Sequence, residues 1–438
     1  MDIDLTTGRP VRDARGRDLG TTTVNRIAVV GGGIAGLSAA YLLSRRHHVT
    51  LYERDRRLGG HTNTVTVDAA GGPVALDTGF LVHNSQTYPN LVRLLDELQI
   101  DTQDSDMSFS VRCAATGFEY SSRGIDGFFA HRRNLVRPGH YALLRDIARF
   151  NREAPGVLET GSDHDETLGD YLAERRYGHE FVARYLTPMA SAIWSSTLDD
   201  IKRFPVRVLV RFMQNHGLLA MSAHPTWRVV RGGSARYIPK LTAPLGTRIH
   251  LGARLSSIGR SEHGVRLTFD DRPPEHVDAV VVACHGAQVL PLLADPTCEE
   301  RQVFSNFTTT ANEAWLHTDA DVLPRAVRAR ASWNYRLGAA DHAPSITYDL
   351  NRLQGITGPV QYCVTLNPSV PLDERTVIGR YTYHHPRMTT GAIAAQGRWR
   401  AVSGVGGIHY CGAYWRYGFH EDGLLSAIRV AADLGVAW

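Results

Sequence analysis

The chain opens, after a polar stretch, with two apolar runs separated by a helical pattern. Residues 27–30 are continuously apolar, which is typical of a central parallel strand, and a glycine-rich turn follows them. From Ile34 the apolar residues continue at helical spacing, and a second apolar run at residues 49–52 ends at Glu53. This order predicts the first half of a doubly wound α/β sheet, which continues to about Val82.

The middle of the chain has a different periodicity. Between about Asn84 and His224, apolar residues recur every three or four positions, which predicts an inserted helical region. The expected helices cover residues 88–98, 141–153, 167–176 and 181–192.

Strand patterns then return. Apolar stretches predict strands at residues 248–258, 264–269 and 277–283, so the first sheet is resumed. From about residue 304 to 371, polar and apolar positions alternate as in antiparallel strands, notably at 345–348 and 360–364. A strand at 409–412 and a helix at 422–434 repeat the arrangement seen at the start.

These patterns predict two interleaved domains and a tail. The parallel-sheet domain comprises residues 25–84, 225–295 and 386–438. The second domain, a helical insertion with an antiparallel sheet, comprises residues 85–224 and 296–385. Residues 1–24 are polar and are expected to form a disordered tail.

Composition narrows the functional class. With 438 residues, 43% hydrophobic and 21% charged, the chain has the make-up of an ordinary globular protein. A net charge of +4 does not indicate a nucleic-acid partner. The five cysteines form no C-x-x-C pair, which favours a reducing cytoplasm without disulfides or a metal site.

The sequence also bears on membranes. It contains no apolar run of eighteen residues, so no spanning segment is expected. Residues 127–137 place two adjacent aromatics beside three arginines. This segment fits a helix start with solvated arginines, and it also fits peripheral contact with the anionic inner face of a membrane.

The glycine-rich turn carries the strongest chemical signal. Gly31, Gly33 and Gly36 fall on the G-x-G-x-x-G spacing, and the helix start at Ile34 and Ala35 would offer free N–H groups to a pyrophosphate. Glu53 stands where adenosine ribose hydroxyls are expected, and its carboxylate would repel a 2′-phosphate. The ligand is therefore expected to be FAD or NAD, and not NADP.

Further stretches narrow this choice to FAD. Arg54 can neutralise phosphates, and the pair Gly59 and Gly60 allows backbone to lie against the cofactor. His61 follows, either as a hydrogen-bonding residue near the isoalloxazine or as a covalent attachment point. Additional expected cofactor contacts are Thr78, Gly79 and Leu255.

A helix start near the C-terminus completes the expected cofactor site. Gly412 opens a glycine- and aromatic-rich loop, and Phe419 precedes Glu421, Asp422 and Gly423. We expect Glu421 or Asp422 to cap this helix. Its N-terminus, directed at flavin N1 and the C2 carbonyl, would stabilise the negative charge of reduced flavin.

Together these motifs carry a resemblance to a known family. The order GGGIAG, ER…LGGH, LDTGF and YCGAYWRYGFHEDG resembles the amine-oxidase-like FAD superfamily. More narrowly, GGHTNTV, WRVVRGGSARY, TYDLNRLQ, VTLNP and GFHEDG resemble FAD-dependent oxidoreductases encoded beside, or fused to, cyclopropane-fatty-acid synthases. The resemblance covers about residues 25–438. It implies a glutathione-reductase-type Rossmann domain that binds FAD and an interleaved amine-oxidase-like substrate domain.

The same resemblance implies an oxidation or desaturation of acyl chains, in which an unsaturated or methyl-branched fatty acyl group transfers a hydride to flavin N5. It also suggests a methyltransferase or cyclopropane synthase as a functional partner. A departure from true amine oxidases is that neither Lys202 nor Lys240 lies where those enzymes place a lysine near N5. A second G-x-G-x-x-G is missing, so oxygen, a quinone or a carrier protein would receive the electrons.

Residues that contact substrate are less well defined by the sequence. A histidine could take a proton, and large aromatics could line an apolar tunnel. The catalytic candidates are His420, His384 and Tyr348, and the other expected substrate contacts are Trp194, Trp227, Tyr383 and His385. Alternatives left open are a redox-neutral double-bond isomerase, an amine oxidase, and a non-catalytic flavin-bound partner of a lipid methyltransferase.

Overall fold

A computed structural model describes residues 25–113, 116–159, 166–194, 198–219, 225–337 and 345–438 of the chain. The predicted tail at residues 1–24 lies outside this part of the chain. Helices and sheets are both abundant, and the α/β prediction is confirmed.

The strands are β1 Arg26–Val30, β2 His48–Glu53, β3 Thr64–Ala69, β4 Gly72–Asp77, β5 Thr102–Asp104, β6 Phe109–Cys113, β7 Phe118–Ser121, β8 Arg228–Val230, β9 Ile249–Leu251, β10 Leu255–Ser261, β11 Gly264–Phe269, β12 Glu275–Val277, β13 Ala279–Val282, β14 Thr309–His317, β15 Trp333–Leu337, β16 Ser345–Asp349, β17 Cys363–Leu366, β18 Val377–Pro386 and β19 Ile408–Tyr410.

The α-helices are α1 Ile34–Leu43, α2 Pro89–Glu97, α3 Gly124–Phe128, α4 Pro138–Glu153, α5 Gly156–Glu159, α6 Leu168–Glu174, α7 His179–Phe181, α8 Thr187–Trp194, α9 Leu198–Lys202, α10 Val206–Asn215, α11 Ile238–Thr242, α12 Gly286–Leu292, α13 Cys298–Phe304, α14 Leu350–Gln354, α15 Thr390–Gln396, α16 Trp399–Val402 and α17 His420–Asp433.

A five-stranded parallel sheet organises one half of the molecule, in the order β19-β13-β1-β2-β9. Ile27 on the central strand pairs with Ala279 on one side and Val49 on the other. Both faces of such a strand are covered, which explains the unbroken apolar run of β1. Helices α1 and α17 pack together beside this sheet, and both are mostly buried.

A seven-stranded mixed sheet organises the other half, in the order β18-β14-β17-β16-β15-β6-β7. The expected alternation between residues 304 and 371 therefore does form antiparallel strands, with β14 pairing both β17 and β18. The prediction that residues 84–224 are helical was partly wrong, because β5, β6 and β7 lie between α2 and α3. Strands β6 and β7 are short, so they left little periodic signal.

Two further corrections concern strands. The single strand expected at 248–258 is divided into β9, which joins the parallel sheet, and β10, which joins a separate three-stranded sheet with β11 and β12. Similarly, β3 and β4 form their own two-stranded hairpin and do not extend the parallel sheet towards Val82. Short loops with glycine, such as Gly252 at φ +67°, allow these changes of direction.

Within the described residues, no helix has both the length and the apolar character required to cross a bilayer.

Candidate functional site

The turn between β1 and α1 forms a cradle in which each glycine meets different surroundings. A Cβ on Gly31, at φ +110°, would lie 2.9 Å from the Ala283 oxygen, and one on Gly36 would lie 1.8 Å from the Gly31 oxygen. By contrast, a Cβ on Gly33 would have no atom within 4 Å. Gly31 and Gly36 are therefore required for packing, whereas Gly33 faces open space.

The start of α1 supplies hydrogen-bond donors to that open side. Gly33 is the N-cap residue, and no side chain caps the helix. The N–H groups of its first turn, at Ile34, Ala35 and Gly36, have no partner within the helix. They thus provide the donors and the positive end of the helix dipole that a pyrophosphate requires.

Glu53 lies beside this cradle at the end of β2, as the sequence predicts. Its Oε2 accepts a hydrogen bond from the Gly32 N–H at 2.5 Å, and its Oε1 accepts one from the Asp55 N–H at 2.8 Å. The carboxylate is thereby fixed next to the glycine turn. Arg54 is 76% exposed and lies 3.6 Å from Asp55, and its charge adds to burial in lowering the pKa of His285 near the glycine turn, so its contact with the cofactor stays a prediction.

The second glycine pair lies against the first. The backbone of Gly59 bridges to Gly33, and a Cβ on Gly60 would lie 3.2 Å from the Gly33 Cα. His61 follows, and its Nε2 is buried without a hydrogen-bond partner among the described residues. Arg57, and not Arg54, is the arginine that orders this loop, since it donates to the Gly60 carbonyl at 2.8 Å.

The end of β4 joins the cradle to the seven-stranded sheet. Thr78 Oγ1 and the Tyr383 hydroxyl on β18 are 2.6 Å apart, and a Cβ on Gly79 would lie 2.2 Å from the His61 oxygen. Leu255 opens β10 two residues after Ala253, whose N–H donates to the Glu53 carbonyl at 2.9 Å. Thr78 and Gly79 thus lie beside His61, and Leu255 follows a residue that is bonded to Glu53.

Helix α17 begins two residues earlier than expected, at His420, with Phe419 as its N-cap. Asp422 accepts a hydrogen bond from the Phe419 N–H at 3.0 Å and so caps this helix, as predicted. Glu421 does not cap it. Instead, the Glu421 carboxylate accepts bonds from Asn90 and from the Leu91 N–H at 2.9 Å, and so caps α2.

Glycines also fit α17 to its neighbours. A Cβ on Gly423 would lie 2.9 Å from Ile34 Cγ2, so this glycine allows α17 to approach the start of α1. The Gly412 N–H donates to Ser426 Oγ at 2.8 Å, which ties the preceding loop to the helix. The two helix starts, of α1 and α17, are consequently held side by side.

Aromatic and imidazole rings meet next to these helix starts. His420 stacks on Phe80 with ring centroids 3.7 Å apart. His61 lies 5.1 Å from the Tyr383 ring and 5.2 Å from the His385 ring. We call these five residues the ring cluster; it joins two residues of β18, two loop residues and the first residue of α17.

Burial keeps the histidines of the ring cluster neutral. Burial first, and then the charges of nearby histidines, lower the pKa of His385 to about 4 and that of His420 to about 3. The pKa of His61 is well below its usual value, because of burial first and then the neighbouring His385 and His285. At physiological pH the cluster therefore carries no imidazolium charge.

The catalytic candidates do not all come together. Only His420 joins the ring cluster; His384 is exposed on β18, with its ring 6.2 Å from that of His285. Tyr348 is buried in β16, where it packs edge-on against Trp333. The structure therefore does not bring His384 and Tyr348 together with His420.

The remaining expected substrate contacts form an aromatic wall. Trp194 lies 4.7 Å from Phe212, which stacks on Phe419 at 5.3 Å. Trp227 stacks with His216 at 6.4 Å, and His216 also stacks on Phe212 at 3.8 Å. These rings run along α10 towards the start of α17.

Sequence reasoning did not single out Thr62, Asn63, Phe80 or Tyr237 as site residues. Thr62 Oγ1 is hydrogen-bonded to His420 Nε2 at 2.9 Å and to the Tyr237 hydroxyl. Asn63 Nδ2 donates to Thr78 Oγ1 at 2.8 Å. Their signal was their position, because Thr62 and Asn63 directly follow His61, and Phe80 ends the LDTGF stretch.

These features fit FAD. The cradle has an open face at Gly33, free donors at the start of α1 and a fixed carboxylate at Glu53, which suit the pyrophosphate and adenosine ribose. The unpartnered His61 Nε2 and the start of α17 lie on the side where the flavin ring is expected.

Comparison with known proteins agrees with this geometry. Residues 34–327 match the family model of flavin containing amine oxidoreductases. The chain is 36% identical over 154 residues to a carotenoid phi-ring synthase of Streptomyces griseus, covering 33% of this chain and 29% of that protein. It is 27% identical over 280 residues to a putative flavin-containing monoamine oxidase of Mycobacterium tuberculosis, covering 62% of this chain and 59% of that protein.

The alignments span less than two thirds of the length of these curated relatives. A solved putrescine oxidase superimposes with a TM-score of 0.66 at 16% identity, covering 93% of this chain and 98% of that structure. This likeness shows the shared fold. The family model covers well over half of the chain, so the protein belongs to the flavin-containing amine oxidoreductase family, and its cofactor is FAD.

Proposed function

We propose that this protein is an FAD-dependent oxidoreductase that removes a hydride from a lipophilic substrate, an unsaturated or methyl-branched fatty acyl chain. The observation that carries the proposal is the uncharged ring cluster, where neutral imidazoles and aromatic rings converge beside the starts of α1 and α17. An apolar chain gains from burial against such rings, whereas a charged group would be desolvated there without a partner.

A residue of the ring cluster, His420, can accept the proton that the substrate loses together with the hydride. Bound FAD would supply the hydride acceptor. A neutral imidazole can accept a proton, and His420 is held in place by its hydrogen bond to Thr62. The low pKa of His420 makes it a weak base. The proposal therefore requires a substrate hydrogen that is already activated, such as one beside a double bond.

Amine oxidation is less well supported by the geometry. Lys240 donates its Nζ to the carbonyls of Leu98 and Gln99, and Lys202 pairs with Asp199 on the exposed part of α9. These are the only lysines of the sequence, and neither lies in the ring cluster. The putative monoamine oxidase among the relatives nevertheless makes amines a necessary comparison in any assay.

The proposal is tested by anaerobic reduction of the bound flavin. Purified holoprotein is mixed with unsaturated fatty acids, methyl-branched acyl lipids, putrescine or benzylamine, and the oxidised flavin absorbance is followed. We expect bleaching by at least one unsaturated or branched lipid and none by the amines. Bleaching by amines alone, or by nothing in the panel, would contradict the proposal.

A redox-neutral double-bond isomerase is the second candidate. It is favoured by the single dinucleotide fingerprint in the sequence, since an isomerase needs no second nucleotide and no electron acceptor. Conversion of an unsaturated lipid to a positional isomer without oxygen uptake would identify this activity. The net oxidation proposed above predicts instead a product with one more double bond for each flavin reduced.

The sequence resemblance adds a partner, a lipid methyltransferase of the cyclopropane-synthase type. If the protein served only to carry flavin and lipid to that partner, Glu53→Arg would abolish FAD binding while leaving partner binding intact. An active oxidoreductase instead loses all turnover in the same variant. Co-purification and lipid turnover measured on one preparation separate the two roles.

We further propose peripheral contact with an anionic membrane. Around α3 and the start of α4, Ile125 is 82% exposed and Val136 is 83% exposed, and nearby Val327 is 71% exposed. Residues 122–145 contain five arginines and one carboxylate, Asp126. Exposed apolar side chains among arginines match the apolar and anionic layers of a phospholipid surface.

Vesicle sedimentation tests this contact. The full-length holoprotein is expected to bind phosphatidylglycerol vesicles and to bind phosphatidylcholine vesicles far less. The double variant Ile125→Ser/Val136→Ser should lower binding roughly tenfold or more, because it removes two inserted apolar groups. Val405→Ser, at a 42% exposed valine elsewhere, is the control and should bind as the wild type does. If the double variant bound phosphatidylglycerol vesicles as well as Val405→Ser does, the proposed membrane contact would be wrong.

A further inference from the structure

A cavity of about 300 Å³ opens between α10, α15 and the loop that precedes α17. Its lining combines three arginines with apolar and aromatic side chains: Arg207, Arg211, Arg416, Val208, Met388 and Tyr417. This pairing of cations with an apolar wall differs from the ring cluster, which carries no charged side chain. We call this feature the arginine cavity.

The arginines of the cavity are positioned by their surroundings. Arg207 donates to the Val157 carbonyl at 2.7 Å, which fixes its guanidinium. Gln396 donates to the Arg416 carbonyl at 2.6 Å and so holds the loop backbone. Arg211 is exposed on α10, one turn beyond Arg207. Two of these arginines, at positions i and i+4 of one helix, thus lie on the same side of α10.

Positive charge exceeds negative charge around the cavity. The carboxylate nearest to Arg416 is that of Asp422, at 3.6 Å. This single carboxylate faces three arginines, and no carboxylate is among the residues that line the cavity. The neighbouring Arg429 has its pKa lowered by burial and by the charges of Arg416 and Arg400. An anion would therefore relieve repulsion among these guanidinium groups.

The cavity is connected to the ring cluster by aromatic side chains. The Tyr417 ring lies 5.9 Å from Phe212, and Phe212 stacks on Phe419 at 5.3 Å. The next residue, His420, stacks on Phe80 within the ring cluster. These rings are packed against one another and form a continuous apolar region between the arginine cavity and the cofactor side of the molecule, into which an extended apolar chain would have to insert.

We infer that the arginine cavity binds the carboxylate of a free long-chain fatty acid, whose hydrocarbon chain follows Tyr417, Phe212 and Phe419 towards the ring cluster. This inference rests on the proposed function and specifies it, because it selects free acids over neutral esters and over amines. Guanidinium groups bind carboxylates through charge-assisted, often bidentate, hydrogen bonds. A neutral ester lacks that charge, and a protonated amine is repelled.

Binding is measured without turnover. Oleate, methyl oleate and oleylamine are titrated into anaerobic holoprotein whose flavin has been reduced beforehand, so that it cannot accept a hydride, and dissociation constants are taken from equilibrium dialysis. We expect oleate to bind most tightly, with an affinity that falls as salt is raised from 50 to 500 mM. Oleylamine binding as tightly as oleate would overturn the inference.

A matched pair of variants locates the site. Arg211→Gln removes one guanidinium from an exposed position of the cavity, and Arg301→Gln removes one from an exposed position of α13. We expect Arg211→Gln to weaken oleate binding roughly tenfold or more while leaving methyl oleate unchanged. Arg301→Gln should change neither. The assignment of the carboxylate to the arginine cavity would be wrong if Arg211→Gln lowered the affinities for oleate and methyl oleate equally. It would also be wrong if Arg211→Gln and Arg301→Gln lowered oleate affinity equally.

The two proposals can fail separately. If oleate binds through Arg211 but no lipid bleaches the flavin, the arginine cavity stands and the proposed oxidation is wrong. If methyl oleate bleaches the flavin as well as oleate does, and Arg211→Gln has no effect, the oxidation stands and the site is wrong. Preferential binding of a lysophosphatidic acid over oleate would also overturn the carboxylate assignment.

Discussion

The two halves of the molecule assemble their sites from different kinds of sequence information. In the parallel-sheet half, the cradle is built from Gly31, Gly33, Gly36 and Glu53, which are separated by only 22 residues along the chain. Where the other half meets it, the ring cluster requires His61 to contact His385 on β18, more than 300 residues away. Local turns determine the first site, whereas long-range strand pairing determines the second.

The largest effect, on the free energy of unfolding, is expected when a glycine of the cradle is replaced by alanine. The same substitution at two positions, Gly36 and Gly33, should have different consequences. Gly36→Ala places a Cβ 1.8 Å from the Gly31 oxygen, so the helix and strand must separate. We expect a loss of at least about 3 kcal/mol in unfolding free energy, or failure to fold. Gly33→Ala meets no atom within 4 Å and should fold like the wild type as apoprotein, yet bind FAD at least tenfold more weakly.

Urea unfolding of the apoproteins and FAD titration by fluorescence quenching measure these two effects. If Gly33→Ala bound FAD with wild-type affinity, the open face of the cradle would not be where the pyrophosphate lies. If Gly36→Ala were as stable as the wild type, the close packing of α1 on β1 would be wrong.

The next largest effect is expected on FAD affinity, when the carboxylate of Glu53 at the end of β2 is changed. Glu53→Gln removes the charge that accepts hydrogen bonds at the glycine turn and is expected to face the adenosine ribose. A charge-assisted hydrogen bond contributes about 1.5–3 kcal/mol, so FAD should bind roughly ten- to a hundredfold more weakly. Asp55→Asn changes the neighbouring exposed carboxylate and serves as control. Equal affinities in the two variants would show that the ribose does not contact Glu53.

These expectations also show why prediction from sequence succeeded in one half and not in the other. The cradle could be predicted because glycine spacing reports directly on backbone contacts. In the other half, His384 and His385 are adjacent in sequence, and β18 pairing decides which of them faces the interior. A strand turns successive side chains to opposite faces, so the exposed His384 and the clustered His385 could not be distinguished without the register.

Glu421 shows a second limit of sequence reasoning. Its place in the first turn of α17 suggested a cap for that helix or a cofactor contact, but its carboxylate reaches across to α2. A side chain at a helix start can satisfy any nearby donors, and only tertiary packing decides which. Asp422, at the N3 position, bonds locally and was correctly predicted to cap α17.

An effect that depends on pH is expected from a buried carboxylate, Asp77. Burial raises the pKa of Asp77 from 3.8 to about 6, although Ser234 and Thr64 donate hydrogen bonds to it. The folded state therefore binds this proton more tightly than the unfolded chain does. Stability should fall by about 3 kcal/mol as pH rises from about 4 to about 6, and this contribution should be constant at higher pH.

Asp77→Asn should abolish this fall in unfolding free energy between pH 4 and pH 6. Asp68→Asn, which changes an exposed carboxylate on the same hairpin, should retain it. Urea unfolding of the two holoproteins between pH 4 and pH 7 gives the comparison. An unchanged slope in Asp77→Asn would mean that Asp77 is ionised throughout this range in the folded protein.

The smallest effect comes from the contact that ties α2 to α17. Glu421→Gln keeps the shape of the side chain but removes the negative charge at the start of α2, where it accepts bonds from Asn90 and Leu91. Loss of a charged cap should cost about 1 kcal/mol of unfolding free energy. FAD affinity should not change, because the carboxylate faces α2. If FAD affinity fell while stability did not, Glu421 would belong to the cofactor site after all, as its position in the sequence suggested.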